Sequence, residues 1–215
     1  MKAYTEENLS SQLVEDRTWR IKEISDLKAA ILRADSISQK VLLRALITIC
    51  YAHWEGYVRF AARKYLEHIA LRRFSFSELD RQFIKNHFLP RLASLTSSKG
   101  SIVERCAIVD DILDASGRKF SQINSDLVST RSNLSFEVFS DICLICGVAI
   151  HDYAEHETFV DIILLKRRNA IAHGEETFVG IKDLDAVTAR TIVLMRQFGD
   201  SLENRIYLKS YRAAS

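Results

Sequence analysis

The chain has 215 residues, 47% of them hydrophobic, with one proline, seven glycines and 27% charged side chains. Such a composition excludes global disorder and leaves ample material for one sizeable core built from long helices, since Pro breaks helix interiors and Gly weakens them. A net charge of only +2 excludes a nucleic-acid binder that is basic over its whole surface, so any such contact needs a local patch, and Arg72-Arg73 and Lys166-Arg167-Arg168 are the local basic runs.

Residues 4–34 read as a helix, with Leu9, Leu13, Ile21, Ile24, Leu27 and Ile31 at three- and four-residue steps. Ser36 is the expected N-cap of a second helix over 37–71, which contains only Gly56 as a weak point and exceeds about 50 Å if unbroken. These two helices predict an antiparallel hairpin. The second carries Tyr51, Trp54, Tyr57, Val58, Ala61, Tyr65 and Leu66 near one stripe, which reads as core. Glu55, Arg59 and Arg63 form a row on another face, read first as solvated salt bridges, with Glu55 also placed to point into a site. Residues 77–95 predict a shorter element capped by Ser77 and broken at Pro90, followed by a loop at SSKGS (97–101). A short amphipathic helix over 102–115 ends near Gly117, and the Ser- and Asn-rich 118–135 is the longest irregular segment. Ser135 caps a helix over FEVFSDICLICGVAI; the charged HDYAEHE breaks the chain before a helix over 158–173, stopped by Gly174. Asp183 or Asp185 opens a last helix reaching about Tyr211. The whole predicts a single all-α, up-and-down helical bundle over 1–215.

Most other chemistry has a bland reading. Cys143 and Cys146 have CxxC spacing, but inside an apolar run they read as buried thiols. His151, Glu155 and His156 read as solvated loop charge, and His53, His68 and His87 as isolated. Neither a metal nor a cofactor is expected. The start MKAYTEENLS has no apolar signal region and no stretch reaches the roughly 18 apolar residues of a membrane span, which predicts a soluble, cytoplasmic protein.

The exception is the segment RRNAIAHGEE at 167–176. On a wheel at about 100° per residue, the helix over 158–173 is apolar in nearly every direction, yet Asp161, Arg168, Asn169 and His173 fall in one sector of roughly 120–140°. Asp161 and Arg168 nearly superpose, and Asn169 and His173 are adjacent. Charged side chains are rarely buried unpaired, so this sector faces solvent, a polar cleft or a partner.

Arg168-x4-His173 with Asn169 in second place, in the string LLKRRNAIAHGE, resembles the R-x4-H signature of the HEPN superfamily of helical bundles. Together with YAHWEGYVRFAARKYL upstream, it resembles a bacterial HEPN branch of conflict and defence systems, over about residues 1–212. The resemblance implies a metal-independent endoribonuclease acting as a toxin or defence effector. Its site would be a composite at a two-fold homodimer interface, its substrate RNA, and an antitoxin or defence-system protein a possible partner. Arg168 and His173 would be catalytic, with Asn169, Arg167, Asp161 and Glu55 in support. One HEPN subclass has a nucleotidylated Tyr two residues after the His; here that position is Glu175, so that regulation does not carry over. The chemistry suits the residues. A histidine titrating near 6.5 serves as base or acid, and an arginine fork matches phosphate. Two other readings stand beside it: a binding module that holds RNA, a nucleotide or a protein without cutting, and a structural bundle in which Arg168 pairs with Asp161.

Overall fold

The computed structural model describes residues 2, 4–97 and 101–213. Its α-helices run in the order α1 (Glu6–Arg33), α2 (Ser36–Ala70), α3 (Arg81–Ser97), α4 (Ile102–Leu113), α5 (Phe136–Cys146), α6 (Arg167–Ala172) and α7 (Asp183–Tyr207), and a π-helical stretch, Phe159–Lys166, leads directly into α6. Among the described residues there are no strands, only the isolated bridges Ser75–Lys119 and Leu79–Arg212. The protein is all-α, and no described helix is long and apolar enough to cross a membrane.

Local chemistry sets the ends of the long hairpin. Thr5 caps α1 reciprocally with Asn8. The cap of α2 is Asp35 rather than Ser36: its Oδ1 accepts from the amides of Ile37 and Ser38. A carboxylate there satisfies two orphan amides and complements the positive helix end, which a hydroxyl does less well. The short link between Arg33 and Ser36 forces the reversal, so Glu23 meets His53 across the pair. Helix α2 runs unbroken for 35 residues, about 52 Å. Its aromatic stripe is core as expected. Trp54 meets Phe139 edge-on at 4.9 Å, and Phe139 in turn meets Phe198 of α7 at 5.4 Å. Each such buried side chain contributes on the order of 2–3 kcal/mol.

Several boundaries differ from expectation. Helix α3 passes through Pro90 without ending. Tertiary packing overrides the local defect, because Phe83 and Phe88 are buried and Asn86 Nδ2 donates to the Ile145 carbonyl at 2.8 Å. Ser77 is not a cap; it lies in a 3-10 turn, Phe76–Glu78, whose cap is Ser75. Residues 98–100 of the expected 97–101 loop lie outside the described residues. Helix α5 stops at Gly147, whose φ of 71° is left-handed, and HDYAEHE coils as a 3-10 turn, Ile150–His156. That turn is not simply solvated: Tyr153 and His156 are buried. Nor is His53 isolated, since its Nε2 lies 3.0 Å from Glu23 and its ring meets Trp19 edge-on. Segment 118–135 is irregular apart from one turn, Ser125–Leu127, but buried Phe120, Val128, Thr130 and Leu134 pin it to the core.

Candidate active site

The site is built where the π-helical stretch becomes α6. Phe159, Val160 and Leu164 anchor the stretch in the core. Hydrogen bonds from i to i+5 widen the helix, a rare arrangement that recurs at functional sites. They also break the α-helical wheel on which Asp161 and Arg168 superpose. Asp161 instead turns to α5, where its Oδ1 accepts from the amide of Phe136 at 2.7 Å. That amide opens α5 and has no intrahelical partner, so Asp161 acts there as a helix-end acceptor. It does not pair with Arg168, and the structural reading that needed that pair fails.

Arg168 is half-buried and fixed on three sides. Its Cζ stands 4.0 Å from the centre of the Tyr51 ring, and its Nη2 donates to the Ser132 carbonyl and Asn133 Oδ1, both at 3.2 Å. Planar stacking on an aromatic face is a role that guanidinium fills and ammonium does not. The ring is itself braced, because the Leu134 amide donates to the Tyr51 hydroxyl at 2.6 Å. Burial pushes the Tyr51 phenol up, against the opposing pull of the Leu134 amide and Arg168, so it stays neutral at physiological pH. The loop that meets Arg168 holds two left-handed residues, Arg131 at φ 50° and Ser132 at φ 61°. Such conformations are costly away from glycine and mark places where the surroundings dictate the backbone.

Around Arg168 lies a cleft of about 500 Å³ whose walls include Tyr51, Glu55 and Arg59 of α2 with Thr130 and Ser132 opposite. Glu55 does not form the expected surface salt bridge with Arg59; it accepts from Thr130 Oγ1 at 2.5 Å. The structure thus brings Arg168 and Glu55 to one cleft.

His173 is elsewhere. It is the C-cap of α6, where its amide donates to the Asn169 carbonyl at 2.9 Å. Beyond it Gly174, with φ 78°, closes the helix: its amide donates to Ile171 O, and the Glu175 amide to Ala170 O. The His173 side chain is exposed and without a partner among the described residues. Five positions along an α-helix is about 140° around its axis, so Arg168 faces α2 while His173 faces solvent. Asn169, one turn before His173, is half-buried, with no side-chain hydrogen bond among the described residues.

The segment after the motif is held by two arginines. Arg167 Nη1 is 3.4 Å from Asp183 Oδ2, which also accepts from the Gly180 amide. Arg44 donates to the carbonyls of Glu175 and Thr177. Glu175 and Glu176 are exposed. In the sequence Tyr51 belongs to the core stripe, and nothing there marks Arg44, Thr130, Ser132 or Asn133. The one available signal was the i, i+4 row Tyr51–Glu55–Arg59. The thiols of the CxxC pair are buried and free; burial pushes Cys146 up to about 12 and Cys143 higher still, so neither offers a thiolate at neutral pH.

No curated relative and no solved structure matches the chain. The family model RiboL-PSP-HEPN matches residues 15–204. That span takes in α1 from residue 15 onward, the whole of α2 with its Tyr51–Glu55 wall, the π-helical stretch and the Arg168–His173 motif, which is nearly everything that shapes the site. The chain therefore belongs to the RiboL-PSP-HEPN family, and its all-α bundle is a HEPN domain.

Proposed function

We propose that this HEPN domain is a metal-independent endoribonuclease, acting in a toxin or defence setting through a site shared by two copies of the chain. The observation that carries the reading is the state of Arg168. An arginine held over the Tyr51 ring and fixed through Nη2 to Ser132 and Asn133, at the wall of an open cleft, is preorganised to receive a phosphate. In the proposed reaction a neutral His173 takes the proton of an RNA 2′-hydroxyl. The 2′-oxygen attacks the adjacent phosphorus and Arg168 bears the developing charge. A protonated His173 from the second copy gives its proton to the departing 5′-oxygen. The products are a 2′,3′-cyclic phosphate and a 5′-hydroxyl, and Asn169 assists by orienting His173.

One chain supplies one such histidine and turns it away from its own Arg168, which is why a second copy is invoked. The surface around the motif suits one: α6 contains no buried residue, and Ile162 and Phe178 nearby are exposed. The test is incubation of purified protein with bacterial RNA in excess chelator, with typing of the product ends. Wild type is expected to leave cyclic phosphates, and Arg168→Ala and His173→Ala to leave RNA intact while staying folded. Cleavage retained in either variant sinks the mechanism. Binding without any product, in every condition, favours the second reading, a non-cutting RNA-, nucleotide- or protein-binding module. The placement of Arg168 and His173 on different sides of α6 speaks for that alternative.

A further inference from the structure

The cleft at Arg168 continues along α2. Gly56 and Arg59 line it and also line a second cavity of about 530 Å³, whose walls include Arg20, Phe60, Arg63 and Lys64. Two adjacent i, i+4 rows make this face, Glu55–Arg59–Arg63 and Gly56–Phe60–Lys64. From Tyr51 to Lys64 it extends about 20 Å.

The cations on this face are not equivalent. Arg20 is held by Asp16 at 2.6 Å and Lys64 by Glu67 at 2.9 Å, so each is largely balanced on the spot. Arg59 is exposed and has no ion pair or hydrogen bond among the described residues. Its ready-made i, i+4 partner, Glu55, is turned to Thr130 instead. An ordinary solvated charge row would pair these two residues. Arg59 is thus an uncommitted cation at the junction of the two cavities. Beside it, half-buried Phe60 and Ile123 give the second cavity an apolar floor. Gly56 opens the space between: a Cβ there would lie 2.6 Å from Arg20 Nη1, so only a residue without one lets Arg20 lie across α2 in its present place.

We propose that this face of α2 is the track for the single-stranded RNA that flanks the cleaved nucleotide. Arg59 takes a phosphate next to the one at Arg168, and the Phe60–Ile123 floor takes the face of a base. The inference rests on the reading of Arg168 and His173 as an RNA-cleaving site. A single strand fits because its bases are free to stack on an aromatic floor while its phosphates meet the arginines; an A-form duplex keeps its bases stacked inside and offers Phe60 nothing.

The test uses the full chain and a fluorescein-labelled 12-nucleotide 2′-O-methyl oligouridine, which has no 2′-hydroxyl to attack. Its anisotropy is followed over a salt series for wild type, Arg59→Ala and Arg59→Lys. Wild type is expected to bind the single strand several-fold more tightly than the same strand annealed to its complement. Arg59→Ala is expected to weaken binding several-fold and to lower the slope of log affinity against log salt by about 0.7, the value for one lost phosphate contact on a single strand. Arg59→Lys restores the slope. Binding and slope unchanged in Arg59→Ala overturn the track. Cleavage of unmodified RNA by wild type, measured alongside, separates the two failures. Cleavage with Arg59-independent binding leaves a nuclease without this track. Arg59-dependent binding without cleavage supports the track on a module that does not cut. The absence of both overturns track and nuclease together.

Discussion

Arg168 owes its position to neighbours more than to its own helix. Tyr51 does two jobs for it. The ring supports the guanidinium, and the hydroxyl accepts from Leu134, which fixes the loop carrying Ser132 and Asn133. The two jobs separate by substitution. Tyr51→Phe keeps the ring but strands a buried Leu134 amide, a cost of about 1–3 kcal/mol. Urea denaturation is expected to show that loss while cleavage survives. Tyr51→Leu removes the ring as well, and cleavage is expected to fall with it. If Tyr51→Leu cuts RNA as well as Tyr51→Phe does, stacking on Tyr51 is not what readies Arg168.

At the scale of elements, the α1–α2 contact holds a titratable group that the hairpin must keep neutral. Burial lowers the pKa of His53, and Arg20 adds to this, while Glu23 and Asp16 oppose it. Below about 6.5 the unfolded chain takes up this proton before the folded one does. The contribution of His53 is therefore intact above that pH and declines as pH falls toward the folded value. His87 acts in the same sense, and Glu203, raised by burial, in the opposite sense nearer the carboxylate range. Urea midpoints at pH 7.5 and 5.5 isolate His53: wild type should lose more stability between the two than His53→Gln, and equal losses would exclude it as the source. What the sequence made legible follows the same division. The aromatic stripe of α2, the Ser135 cap and the Gly174 stop were readable because hydrophobic period and cap chemistry are local. The π-helical stretch was not, since FVDIILLK has the same composition whether its bonds run to i+4 or i+5. That difference of register displaced Asp161 from Arg168. The wall at 130–134 was equally hidden: a polar Ser- and Asn-rich segment reads as loop, and only its contacts to α2 and α6 make it part of the site.

For the whole molecule, α2 is the organising element. One helix supplies Arg44 under the loop after the motif, Tyr51 and Glu55 at the cleft, and Arg59 beyond it, so the site inherits the rigidity of the longest helix in the core. What α2 does not supply is a histidine at the cleft, since its own two, His53 and His68, are buried in the core. Transesterification needs a base and an acid in one step, and His173 of a single chain cannot be both. Two-fold dimers are the commonest assemblies and place the same residue of both copies about one axis. The dependence of activity on mixing decides the matter. When wild type and His173→Ala are co-refolded so that subunits exchange at random, a hybrid holds only one His173 and is inactive. Activity should then follow the square of the wild-type fraction, so that an equal mixture retains about one quarter of the activity, not the one half of simple dilution. A linear dependence would mean that one chain cuts alone, and the second proton would have to come from another group in the same cleft.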